Sequence, residues 1–327
     1  MSKHIGYFDF LRGIAIIMVV GIHTFPKSSW NNESDLLNIL IRQLINCAVP
    51  IFLAISAFFL ARKSFDSYKL ITSFWKKQIP KVYIPCIVWS LPLFLMSLKN
   101  GGNPITETVI LLICGYSIYY FIALIIQYYL LLPWLVKIKQ KIWIVVFPLI
   151  SIISISLYIY SGSQLPLIFY AGPFWIWIMF FYQGIIMGRS ERNYSITTLV
   201  VLLLIAISLQ LVESWYLFNY GSASYGIKAS AYIYSSIVLF ILFSKKAETF
   251  YETNKNIVFS FIEYIGRLSF GIYLIHCYFI TFIINRIIGN EYWGIRCFCT
   301  ILCSIFFIEI IKKVVPNRFC TKYLGFL

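Results

Sequence analysis

The sequence predicts an all-α polytopic membrane protein of about ten transmembrane helices with both termini in the cytoplasm. Three observations carry that expectation. Of 327 residues, 60% are hydrophobic and 12% charged, whereas a soluble domain carries roughly 25% charge. Apolar stretches near the 20 residues or so that cross a bilayer recur along the whole chain. Basic residues concentrate in alternate connections between those stretches. Disorder is excluded, because 19% of the residues are Phe, Trp or Tyr and disordered chains are poor in aromatics.

The ten stretches run approximately over residues 5–25, 38–61, 83–98, 118–136, 142–160, 170–188, 196–218, 229–243, 259–283 and 293–315. The apolar run at 105–114 is too brief to cross and reads as a re-entrant or interfacial segment. Alternate loops and the two ends hold nineteen of the 27 basic residues, six of them between positions 62 and 81. The opposite side has Lys27, Arg42, Lys99, Lys228, Arg286 and Arg296, and Arg12 and Arg267 fall inside stretches. Lys and Arg collect in short cytoplasmic loops, so the basic ends belong inside and the number of crossings is even.

The first stretch carries Asp9 and Arg12 and lacks a small-residue cleavage site, so it reads as a resident helix rather than a signal peptide. Residues 1–327 read as one integral-membrane domain with no separate soluble domain. The net charge of +15 is then mostly topological, attracted to anionic membrane lipid, and nucleic acid is not an expected partner. The cluster Cys297-x-Cys299-x3-Cys303 has no histidine beside it and no zinc spacing, so no metal is expected.

Ionisable groups inside a bilayer are costly and mark sites by default. At about 100° per residue, Asp9, Arg12 and His23 fall within about 60° of one another on the first helix, and Arg12 and His23 stand about 16 Å apart along its axis. A ligand touching both would be anionic at its cytoplasmic end and reactive at the other, the shape of a coenzyme A thioester. The same residues also fit an interfacial Asp9–Arg12 ion pair with His23 snorkelling outward. Ser269, Tyr273 and His276 form a second polar stripe within about 60°, with Arg267 on the opposite side of the ninth helix. Either that helix is buried all round, or Arg267 binds a phosphate or a neighbouring carboxylate. In the basic stretch at 62–81, Lys77 and Lys81 serve either as topogenic charge or as holders of a cytoplasmic cofactor's phosphates.

Together, Asp9-x2-Arg12-x10-His23, Val49-Pro50-Ile51-Phe52 leading to Ile55-Ser56-Ala57-Phe58, and Leu268-Ser269-Phe270-Gly271-Ile272-Tyr273-Leu274-Ile275-His276 resemble the acyltransferase-3 family of bacterial integral-membrane acyltransferases. Residues 119–134, rich in aromatics, are similar to that family's fourth-span motif. The likeness covers the whole chain, and is closest to short members such as the O-acetyltransferase of enterobacterial common antigen. It implies a multi-pass protein of the bacterial inner membrane. That protein would move an acyl group, usually acetyl from acetyl-CoA, to a hydroxyl of a cell-surface polysaccharide or its lipid-linked precursor.

The resemblance also implies that Arg12 and His23 are essential. In these residues, His23 acts as base or transient acyl carrier, Asp9 holds Arg12, and Arg12, Lys77, Lys81 and Arg267 bind the donor. Ser56, Ser269, Tyr273 and His276 orient the substrate or stabilise the oxyanion. Two departures stand out. Ala57 occupies a position that is often Gly, and Gln78 and Lys81 replace a pair of arginines, leaving a point charge in place of a bidentate fork. A transporter or flippase of a lipid-linked saccharide is the competing expectation, although the two halves show no internal repeat of the kind many transporters carry.

Overall fold

A computed structural model describes residues 4–26, 28–161, 165–220 and 226–326. Among them there is no strand. In chain order the helices are α1 (His4–Thr24), α2 (Leu36–Leu44), α3 (Ala48–Leu60), α4 (Tyr68–Lys99), α5 (Pro104–Leu112), α6 (Tyr120–Leu135), α7 (Trp143–Tyr160), α8 (Leu167–Tyr170) and α9 (Phe174–Arg189). They continue as α10 (Ile196–Asn219), α11 (Ala229–Leu242), α12 (Lys245–Thr253), α13 (Ile257–Arg267), α14 (Ser269–Phe279), α15 (Asn285–Ile287), α16 (Trp293–Val314) and α17 (Asn317–Phe319).

Eight runs among the described residues are long and apolar enough to cross a membrane. They are Gly6–Thr24, Glu33–Leu60, Tyr68–Lys99, Ser117–Leu135, Trp143–Tyr160, Ile196–Asn219, Ser269–Ile287 and Asn290–Val314. The stretches expected at 170–188 and 229–243 form α9 and α11, of 16 and 14 residues. At 1.5 Å per residue these span about 24 and 21 Å, short of a hydrocarbon core of about 30 Å. α9 is buried along almost its whole length, which places it inside the bundle. The run at 105–114 forms the nine-residue α5, capped by Asn103 Oδ1 accepting from the Ile105 and Thr106 amides, and it does not cross.

Two elements differ from their sequence expectation. The basic stretch at 62–81 is largely helix, because Ser67 caps a 32-residue α4 that begins at Tyr68. Lys and Arg are good helix formers, and a helix about 48 Å long carries its basic first turns beyond the hydrocarbon. The stretch at 259–283 is broken at Leu268, which separates α13 from α14. Arg267 therefore ends one helix and Ser269 begins another, and a single straight axis does not relate Arg267 to His276.

Packing places α1 at the centre. In α1, 56% of the apolar window is buried, against 17% in α4, α7 and α10, whose Leu95, Val145, Leu149, Leu204 and Val212 face outward. Dispersion and shape drive helix association in lipid, so small residues mark the tightest contacts. A Cβ at Gly266 would stand 1.7 Å from the Asp9 carbonyl oxygen, and one at Gly184 would stand 2.4 Å from that of Ala54. Glycine therefore lets α13 lie directly on α1 and α9 on α3. One apolar cluster gathers Phe8, Ile51, Ala54, Tyr128, Phe180 and Leu239. The other gathers Ile16, Val20, Ile272, Leu274, Ile301 and Ile308, and α1 supplies both.

Candidate active site

The sequence builds α1 as an apolar helix with one polar stripe, and the bundle closes around that stripe to leave a cavity of about 1410 Å³. Drug-sized ligands occupy pockets of roughly 300–1,000 Å³, so this space suits a long ligand or two substrates together. It runs along α1 from Arg12 to His23, about 16 Å, and on to Phe25 and Pro26 just beyond the helix end. The other walls come from Val49, Phe52 and Ser56 of α3, Tyr129 of α6, Trp177 of α9, and Ser269 and Tyr273 of α14.

At one end Arg12 Nη1 donates to Asp9 Oδ1 at 2.6 Å, with Asp9 buried and Arg12 about a third exposed. The Arg12 guanidinium also lies 5.5 Å from the centroid of Phe59. The ion pair anchors the arginine from one side, and the residue lines the cavity with donors that Asp9 does not use. The ion-pair expectation thus holds for Asp9 and Arg12. His23, however, lines the cavity with its side chain open to it.

At the His23 level the ring of His276 stands 5.3 Å away between centroids and tilted by 46°. His276 is fully buried behind the cavity wall. Its Nδ1 lies 2.8 Å from the Tyr273 carbonyl and 3.1 Å from that of Ile272. Carbonyls only accept, so in the neutral ring Nδ1 carries the proton and Nε2 the lone pair. The Tyr273 hydroxyl donates to the Ile118 carbonyl, and Tyr119 returns the link by donating to the Leu274 carbonyl at 2.7 Å. These bonds pin α14 to the start of α6. Ser56 donates back within α3 to the Phe52 carbonyl at 2.9 Å, which satisfies its hydroxyl inside the helix.

The remaining sequence-predicted residues lie outside the cavity lining. Arg267 is half-exposed and donates to Glu263 at 2.8 Å, with its guanidinium 5.6 Å from the ring centroid of Tyr264. Glu263 also takes Lys255 at 2.5 Å. Lys77 and Lys81 are exposed in the first half of α4, five residues and one residue before Val82, which does line the cavity. They sit close enough to Lys63 that burial first, and their like charges second, push its ammonium below the usual value. Lys63 also lies 4.4 Å over the Phe74 ring. A basic patch thus flanks the Arg12 side of the bundle.

Sequence reasoning missed Arg42, Asn46 and Tyr232, which line the same cavity. Arg42 was grouped with outer-loop charges although it lies within the stretch at 38–61, and that position was the available signal. Tyr232 gave none, since an aromatic facing a cavity and one facing lipid read alike in sequence. No group of three or more His, Cys, Asp and Glu side chains placed to hold a metal occurs among the described residues.

Fold and cavity together define a polytopic membrane protein organised around an internal, largely apolar chamber that carries a few polar and charged side chains. The acyltransferase-3 family model, described as an acyltransferase domain, matches residues 5–318. The chain belongs to that family and is a multi-pass membrane acyltransferase. Searches of curated proteins and of solved structures return no match.

Proposed function

We propose that this protein is an O-acyltransferase of the bacterial inner membrane. It would take an acyl group, acetyl in the simplest case, from coenzyme A thioester and pass it to a hydroxyl of a cell-surface glycan or its lipid-linked precursor. The observation that carries the reading is the single cavity lined by Arg12 at one end and His23 nearer the other, both from one face of α1. The excess of basic residues in alternate connections supports termini in the cytoplasm, which puts the Arg12 end inside, where coenzyme A is found.

In this reading Arg12, steadied by Asp9, meets donor phosphate or the amide-rich pantetheine arm, and Lys63, Lys77 and Lys81 attract the nucleotide end. The thioester carbonyl comes to His23. The His23 imidazole takes the proton of the acceptor hydroxyl as its oxygen attacks the carbonyl carbon. The C–S bond breaks, and the proton passes to the departing coenzyme A thiolate. Two-step transfer through an acyl-imidazole is the variant that the same geometry supports. Ser269 lines the cavity wall about 10 Å along α14 from His276, so in this reading it contacts the donor arm rather than the reacting carbonyl. The Tyr273 hydroxyl proton is committed to the Ile118 carbonyl, so Tyr273 acts by positioning.

The test is whether purified full-length protein in detergent releases coenzyme A from [14C]acetyl-CoA, with mass spectrometry of the host's surface glycan with and without the gene. Coenzyme A release together with acetyl groups present only when the gene is intact supports the reading. Absence of both binding and turnover of acetyl-CoA would remove it.

A further inference from the structure

Charge in the cavity is balanced at one end and unbalanced at the other. Arg12 has Asp9. Among the described residues Arg42 has a single hydrogen-bond partner, Asn46 Oδ1, and no carboxylate. An arginine in a membrane span ordinarily pairs or faces a polar path, and Arg42 lines the cavity. Its height is set by Ile45, whose Cδ1 lies 3.7 Å from the Cβ position of Gly21, two residues before His23.

The surroundings are built rather than incidental. Asn46 donates to Gln43 Oε1 at 3.3 Å and to Gln210 Oε1 at 3.2 Å. Gln43 donates to Ser214 Oγ at 3.2 Å and accepts from the buried Lys228 ammonium. Glu213 takes the Ser230 amide at 2.7 Å and the Tyr160 hydroxyl at 3.2 Å, so among the described residues no carboxylate of this network reaches Arg42.

Resting on the acyl-transfer reading above, we infer that Arg42, held by Asn46, recognises an oxyanion carried by the acceptor. Donor phosphates belong at the Arg12 end, about 16 Å along α1 from His23, so the anion at Arg42 is a different one. Carboxylate and phosphate oxygens both match a guanidinium fork. The two sources are a uronic acid unit of the glycan and the diphosphate of a polyprenyl carrier. The Trp177 and Tyr232 rings, 5.6 Å apart and nearly parallel at 23°, give either one an aromatic wall.

Equilibrium binding to the purified full-length protein in neutral detergent tests this with matched probes, trigalacturonate against its methyl ester and farnesyl diphosphate against farnesol. One anion should bind about tenfold or more tighter than its neutral match, the size expected of a charge-assisted contact, and which pair shows it names the source. In Arg42→Gln the ratio should fall to about threefold or less, and in Arg42→Lys it should be partly kept. Equal binding within both pairs by the wild type, or an anion preference that survives Arg42→Gln, overturns the inference. Acetyl-CoA turnover by the same wild-type sample reports on the donor reading separately. Its absence with the anion preference intact sinks that reading and leaves the oxyanion subsite standing.

Discussion

His23 of α1 and His276 of α14 place their imidazole rings 5.3 Å apart, one lining the cavity and the other buried behind it. With its Nδ1 proton fixed on the Tyr273 carbonyl, His276 is a rigid backing for His23 rather than a second reacting group. Replacing it with Ala should lower kcat by about 10- to 100-fold, the usual result of letting a reacting group shift, and leave the KM for acetyl-CoA within about threefold of wild type. A rise in KM with kcat unchanged would place His276 in donor binding instead.

Arg12→Ala should act on the donor. Loss of a charge-assisted contact is worth about 1.5–3 kcal/mol, so the KM for acetyl-CoA should rise about 10- to 100-fold. Asp9→Asn, which leaves the guanidinium in place but loosens it, should have a smaller effect in the same direction. Steady-state kinetics with acetyl-CoA as the varied substrate decides both.

The basic patch gives a salt-dependent prediction. Exposed charges are screened within about 8 Å at physiological salt. If Lys77 and Lys81 attract the nucleotide, the Lys77→Gln/Lys81→Gln double variant should raise the KM for acetyl-CoA about threefold or more at low ionic strength and match wild type near 1 M salt. A KM equal to wild type at both salt concentrations would leave these lysines with topology alone.

Gly266 tests the packing. Alanine there would put a Cβ 1.7 Å from the Asp9 carbonyl, and overpacking of this kind costs about 1–3 kcal/mol. Gly266→Ala should lower the thermal unfolding midpoint of the detergent-solubilised protein and, by pushing α13 away from Asp9, reduce turnover as well. An unchanged midpoint would contradict the close contact.

Much of the site was legible because helical spacing is a strong constraint. Eleven residues is close to three turns, so Arg12 and His23 had to share a face once α1 was a helix. What failed was tertiary. Nothing at Leu268 announces a break, since it is neither Pro nor Gly, and the break takes Arg267 to the exposed end of α13. The basic stretch at 62–81 read as loop because charge dominated, while the Ser67 cap that starts α4 was passed over. Arg42 was assigned by charge counting, which sorts residues by side of the membrane and ignores which face of a helix turns inward. Cavity aromatics such as Trp177 and Tyr232 are indistinguishable in sequence from those that face lipid, because both surroundings are apolar.

The central claim is that His23 carries the chemistry. Membranes expressing His23→Ala at wild-type protein levels, supplied with [14C]acetyl-CoA, should transfer label to surface glycan at least about 100-fold more slowly than wild type, the scale of a lost general base. Transfer at the wild-type rate by that variant would contradict the account.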